Sequence, residues 1–277
     1  VGYNYNIGKY EVTAGQYAAF LNAVAATDTY GLYNRDMART DYGSGITQHN
    51  ASGSYTYTVD AAFVNRPVNY VSFWDACRFA NWLNNGQGGP GTTEYGTYTL
   101  TPSAISSNTV TRNAGATWGV TSEDEWYKAA YYNPVASNYY LYPTSSNWAP
   151  SQIMADPLGN CANYFSAPYA FPIDGTHYTT VAGEFQNSDS PYETFDQAGN
   201  VCEWNEAIIN SSYRGLRGGT FGDGDFSLQS GGRGIYDPAV EYSGIGFRVS
   251  QVPEPSCLAV LGIGVVGMLL GRRGARM

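Results

Sequence analysis

Histidine and cationic side chains are scarce in this chain: it has 2 His and 14 Lys+Arg among 277 residues, and only 13% of its residues are charged. His49 and His177 lie far apart in loop-like sequence, where such residues usually serve as ordinary hydrogen-bonding groups. The 4 cysteines, at positions 77, 161, 202 and 257, make no C-x-x-C pair and no Cys/His cluster, which removes a structural zinc site. One disulfide among Cys77, Cys161 and Cys202 stays open in an oxidising compartment, with Cys77 expected to be buried on a helix. No basic run with interleaved aromatics occurs. Residues 1–252 carry 11 basic against 22 acidic side chains, a surface that repels phosphate backbones and excludes a nucleic-acid partner.

Tyrosine, by contrast, is abundant, with 25 residues, and Gly reaches 33. This weakly charged, polar and aromatic composition fits an exported protein. Helical signals are few but well formed. Thr13 and Gln16 make a capping box before Tyr17, Phe20, Leu21 and Val24. Ser72 caps a second helix with Ala76, Phe79, Ala80 and Leu83 on its apolar side and a solvated polar face. Ser122 and Glu125 box a third, ahead of Trp126, Ala129 and Ala130. The acidic cluster Glu123, Asp124 and Glu125 therefore reads as capping and dipole compensation rather than catalysis. Short runs such as Tyr55 to Val59 and Tyr98 to Leu100 predict strands, cut by Gly, Asn and Pro into loops. The fold class is α+β, with few helices, short strands, much irregular structure and a C-terminal apolar helix.

That last helix is the run S-C-L-A-V-L-G-I-G-V-V-G-M-L-L-G at 256–271, followed by Arg272 and Arg273 and preceded by Pro253, Glu254 and Pro255. It is short for a bilayer, which takes about 20 residues, yet its terminal position and basic end suit an anchor with cytoplasmic arginines. The V-P-E-P-S, apolar helix and R-R sequence resembles the PEP-CTERM sorting tail of exosortase substrates in Gram-negative bacteria. The resemblance implies an inner-membrane anchor, an exosortase-like partner that cuts near Pro253, Glu254 and Pro255, and a final place at the cell surface or in the extracellular matrix. Export also requires a leader, expected ahead of Val1.

The remainder divides as one unit over 1–250, with the tail at 251–277. Ordered motifs run through the first unit: E-V-T-x-x-Q-Y at 11–17, R-P-V-N-Y-V-S-F-W-D-A at 66–76, T-S-E-D-E-W-Y-K-A-A at 121–130, D-Q-A-G-N-V-C-E-W at 196–204, R-G-G-T-F at 217–221 and G-F-R at 246–248. Together they resemble the formylglycine-generating (sulfatase-modifying factor) family, which commonly shows A-G-N-V-W-E-W, R-G-G-S-W and a closing G-F-R. The resemblance implies a C-type-lectin-like variant fold and structural calcium. Carried over, the first calcium ligands are Asp196, Glu203 and the carbonyls of Gly199 and Val201, an all-oxygen set for a hard cation. A second set is Asn163, Asp174 and the carbonyls of Tyr164 and Thr176.

Family oxidases hold copper(I) through two thiolates, three and eight residues after the Ser of R-G-G-S, because a soft ion needs soft donors. Counted from Thr220, this chain has Asp223 and Leu228 there, and no cysteine lies between Cys202 and Cys257. Copper-dependent oxidation of cysteine is therefore not expected. The related ergothioneine sulfoxide synthases use three histidines on iron; His49 and His177 with a carboxylate leave an iron-dependent oxidase or oxygenase as the alternative reading. Arg217, Arg233 and Arg248 are expected to pair with buried carboxylates or carbonyls. The leading expectation is a non-catalytic extracellular binding or matrix module. Its glycan or peptide ligand is expected at Thr220, Asp223, Asp225, Phe226 and Arg233, where Gly-Asp turn material replaces the thiolates. A passive envelope component is the third possibility.

Overall fold

The computed structural model describes residues 1–153, 158–166 and 173–252. The expected sorting tail, with Pro253, Glu254, Pro255, Arg272 and Arg273, lies outside the described residues. Among those described, no helix is long and apolar enough to cross a membrane.

In chain order the elements are β1 (Asn6–Ile7), α1 (Ala14–Val24), β2 (Ile46–His49), β3 (Thr56–Val59), α2 (Phe73–Asn84), α3 (Pro102–Ser106), β4 (Trp118–Val120), α4 (Glu123–Tyr131), β5 (Tyr132–Asn133), β6 (Asn138–Tyr139), β7 (Cys202–Ile209), β8 (Tyr213–Arg217), β9 (Gly234–Tyr236), β10 (Ile245–Phe247) and β11 (Val249–Gln251). All three capping boxes form. The Thr13, Ser72 and Ser122 side chains accept from the backbone of Gln16, Asp75 and Glu125, and each of those side chains accepts the cap's own N–H in return. Satisfying two otherwise orphaned donors fixes where each helix starts, in a chain with little other regular structure.

β10, β7, β8 and β9 form one sheet in that order, with β10 parallel to β7 and the other pairs antiparallel. β11 lies between β1 and β4 in a second sheet, so the start and end of the domain are hydrogen-bonded together. The core is aromatic. Tyr17 and Phe20 of α1 meet Phe79 and Trp82 of α2, and Phe247 of β10 reaches Phe79 with centroids 5.3 Å apart. Trp204 of β7 is anchored by donating to the carbonyl of Val71 at 2.9 Å. Each such buried ring contributes a large apolar area, and edge-on packing adds about 0.5–1.5 kcal/mol per pair.

Two expectations need correction. The polar side of α2 is not solvated, because Asp75, Arg78 and Asn81 are all buried. Arg78 pairs with Glu94 at 2.7 Å, while the Asn81 amide donates to the carbonyls of Thr93 and Tyr98. The segment Tyr98 to Leu100 is also not a strand. The Asn81 side chain takes both the N–H and the carbonyl of Tyr98, so pairing there stops at a single antiparallel bridge between Tyr95 and Thr99. Cys77 is buried as expected, and Cys77, Cys161 and Cys202 stand as thiols.

Candidate functional site

Beyond β8 the chain turns sharply because Gly218 and Gly219 take φ of +99° and +69°. At Gly218 a side chain would also stand 3.0 Å from the Gln197 carbonyl. These glycines deliver Thr220 to a tight turn closed by Asp223, whose carboxylate accepts the Thr220 N–H at 2.9 Å. A single helical turn, Asp225–Leu228, follows and carries Phe226 outward while Leu228 is buried. Between this loop, β9 and the approach to β10 lies a cavity of about 400 Å³.

Thr220, Asp223, Phe226 and Arg233 line it, so four of the five expected contact residues converge. Asp225 does not line the cavity; its carboxylate accepts from the Tyr142 hydroxyl at 3.1 Å. Leu228, at one of the positions where the family's oxidases hold copper, packs with Tyr142, Ala162, Tyr164 and Ala198. Tyr236, Tyr242 and Cys202 were missed as lining residues. Cys202 had a legible signal: cysteine stands where the resembling motif has tryptophan, and the smaller side chain leaves room on the cavity side of β7. Burial pushes the Cys202 thiol up, so it stays protonated at neutral pH.

Arg217 and Arg248 pair as expected, while Arg233 is exposed and its carboxylate partner is only half-buried. Arg217 donates to Glu123 at 2.6 Å and to the carbonyls of Ser230 and Gly232, and Arg233 shares the same Glu123. Glu123 is thus both the start of α4 and the counter-charge of the cavity wall. Glu125 is buried and pairs with Arg112 at 3.0 Å.

Below the cavity, on the opposite side of β7, is a buried acid cluster. Arg248 and Glu203 are both 0% exposed and joined by two hydrogen bonds, of 2.6 and 2.7 Å. Arg248 also donates to the carbonyls of Gly8 and Phe195, and Trp126 donates its indole N–H to Glu203 at 2.8 Å. Glu203 therefore starts a strand and holds an ion pair, rather than sitting on an open loop. A carboxylate offers about four acceptor positions, so these bonds leave it capacity for one more partner.

Asp196 accepts the Gly183 N–H at 2.6 Å, and desolvation pushes its carboxyl up to about 6. Glu11 is buried beside it and is also raised, first by desolvation and then by the charge of Asp196. One oxygen of Glu11 has no hydrogen-bond partner. Three carboxylates thus face one guanidinium. Such an excess of buried negative charge is relieved by a proton or a cation among the acids.

Gly199, with φ of +80°, presses its backbone against Asn163, where any side chain would lie 2.1 Å from the Asn163 carbonyl oxygen. That bridge brings the two expected calcium regions together, and Asn200 spans them by donating to Glu11 and accepting from Asn163. Val201 lies between Asn200 and β7 with its side chain buried. In the second region Asn163 accepts from Ile173 N–H, and Asp174 receives Arg66 and His177, both at 2.8 Å. Against the cost of desolvation, the His177 contacts hold the Asp174 carboxyl down to about 2. The Tyr164 carbonyl accepts from the Gln152 amide, and Thr176 donates its N–H to Asp174. Among the described residues no group of three or more His, Cys, Asp or Glu is arranged as a metal site. His49 bonds Thr58 on the β2–β3 hairpin while His177 bonds Asp174, and neither lines the cavity.

A model of the sulfatase-modifying factor enzyme 1-like domain matches residues 3–252. Among solved structures the chain is similar to CarF, with TM-score 0.55 and 19% identity over 90% of this chain and 87% of that one. It is also similar to Treponema denticola variable protein 1, at TM-score 0.52 and 18% identity over 90% and 84%. PvdO from Pseudomonas aeruginosa gives TM-score 0.53 and 19% identity over 90% and 80%. These likenesses show the fold. No curated protein sequence matches the chain.

Proposed function

Because this chain belongs to the sulfatase-modifying factor family, we propose that it keeps the family scaffold as an exported, non-catalytic binding module rather than as an oxidase. The observation that carries this reading is the cavity at the end of β8. It is lined by Thr220, Asp223, Phe226 and Arg233, with Asp223 and Leu228 at the positions where the family's oxidases hold copper by thiolates. A carboxylate and a hydrocarbon do not hold copper(I). The cavity volume lies within the range of small-ligand sites, about 300–1,000 Å³.

In this reading calcium is structural. Asp196, Glu203 and the carbonyls of Gly199 and Val201 hold one ion beside Glu11; Asn163, Asp174 and the carbonyls of Tyr164 and Thr176 are the second candidate set. The unpartnered Glu11 oxygen and the raised Asp196 carboxyl support the first. The domain spans 1–250 and the sorting signal 251–277. Through the latter the protein is anchored in the inner membrane, met by an exosortase-like enzyme and passed to the cell surface. The resemblance of the Pro253, Glu254, Pro255 joint and the Arg272, Arg273 end supports this address.

The test is to probe glycan and peptide arrays with the purified chain and its Asp223→Ala variant, alongside elemental analysis. Binding that is lost in the folded variant, with calcium as the bound metal, is expected. Stoichiometric iron or copper, or binding indifferent to Asp223, counts against the reading.

A further inference from the structure

The cavity's charges cancel, and its mouth is made of rings. The Arg217 and Arg233 guanidiniums converge on Glu123 from one wall, and Asp223 supplies the second negative charge from the other. Two cations and two anions sum to zero, so the cavity as a whole favours neither an anionic nor a cationic ligand. Arg217 is further tied to two carbonyls, and one oxygen of the Asp223 carboxylate accepts the Thr220 N–H that closes its own turn. An anionic ligand would have to break the Arg–Glu123 pairs, and a cationic one would meet a single carboxylate in a lining that also carries two guanidiniums.

The mouth is different. Phe226 is 75% exposed, Tyr242 58% and Tyr236 47%, although all three border the cavity. Among the described residues neither the Tyr236 nor the Tyr242 hydroxyl has a hydrogen-bond partner. Each ring therefore offers an apolar face together with an unused polar tip. Exposing three large rings around one concavity is costly in water unless something covers them. Glycines at 219, 222, 232 and 244 keep the walls free of side chains and bring backbone polar groups to the surface of the cavity.

We propose that this cavity binds a neutral saccharide, whose ring faces stack on Phe226, Tyr236 and Tyr242 and whose hydroxyls bond the tyrosine tips, Thr220 and the glycine backbone. A sugar matches each feature: it is uncharged, it carries apolar C–H faces, and its hydroxyls donate and accept as the lining requires. A peptide segment would bring such a plate only through an aromatic side chain, and then with at most one hydroxyl at its edge. The proposal rests on the binding reading above and names its ligand class.

The experiment is an array of neutral glycans, acidic glycans and unmodified peptides, probed with the full chain in calcium and followed by titration of the best neutral glycan. Phe226→Ala and Tyr242→Ala are compared with Trp148→Ala, an exposed ring outside the cavity, and circular dichroism confirms folding. Binding to neutral glycans that weakens about tenfold in each cavity variant, and not in Trp148→Ala, is expected. Binding only to peptides or acidic glycans, still lost in the cavity variants, overturns the saccharide assignment while leaving the binding reading intact. Neutral-glycan binding that ignores both cavity variants overturns the location. No binding by the folded chain to any probe overturns both.

Discussion

Replacing Glu203 by Gln should destabilise the fold while replacing Glu11 by Gln should not, although both glutamates are buried in the same cluster. Glu203→Gln keeps the shape but removes the only charge, among the described residues, bonded directly to Arg248, whose side chain is 0% exposed. Removing one partner of a buried pair typically costs about 3–5 kcal/mol. Here the lower end is expected, near 3 kcal/mol, because Glu11 and Asp196 stand close enough to ionise in response to the unpaired guanidinium. For a domain of this size that is a fall in Tm of about 6–12 °C. Glu11→Gln instead removes an acid whose ionisation burial opposes and which makes no ion pair among the described residues. Its Oε1 accepts only from Asn200, at 3.3 Å, which an amide oxygen can also do, and its Oε2 has no hydrogen bond to lose. A neutral to stabilising change of about 0–1 kcal/mol is expected at pH 7 in a calcium chelator. Urea denaturation followed by the emission of buried Trp126 and Trp204 measures both. Equal destabilisation by the two substitutions, or a neutral Glu203→Gln, would refute the charge accounting.

Calcium should raise Tm more at pH 7.5 than at pH 5, because the proton held by the raised Asp196 and Glu11 carboxyls competes with the ion; at 100-fold excess over Kd the gain is about 2.7 kcal/mol. Thermal scans at both pH values check this, and a larger gain at pH 5 would contradict it. Asp75, pushed up to about 7 by burial, has its pKa raised on folding, so its contribution to stability is full below the unfolded carboxyl range and is lost as pH rises through about 7. The chelated wild type should therefore lose more stability between pH 5 and 8 than Asp75→Asn, as read by urea titration at each pH. Gly199→Ala should cost at least about 2 kcal/mol, since a positive φ and a backbone clash coincide there, and a variant of wild-type stability would show that the Asn163 bridge is not formed.

Local chemistry was legible in the chain and compensation between distant groups was not. Thr13, Ser72 and Ser122 announce their helices because a capping box is closed within four residues. The charge of Arg248 could be assigned a carboxylate partner, but the choice of Glu203 depends on β10 running parallel to β7, which no spacing reveals. The same limit hid the burial of Asp75, Arg78 and Asn81, whose partners lie at positions 72 and 93–98. At the cavity, Thr220, Asp223, Phe226 and Arg233 followed from their position after R-G-G. Tyr236 and Tyr242 did not, because exposed tyrosines are common in so tyrosine-rich a chain and only their meeting around one cavity sets them apart. Asp225, two residues from Asp223, was drawn to Tyr142 by the helical turn between them and the buried residues.

The central claim is that the family scaffold here binds without oxidising. The purified chain, loaded with copper and supplied with oxygen, a thiol reductant and a cysteine-containing peptide, tests it most directly when aldehyde is followed by mass spectrometry and hydrazide trapping. With Asp223 and Leu228 in place of thiolates, no aldehyde above the protein-free control is predicted. Catalytic turnover of the peptide to its aldehyde would contradict the account.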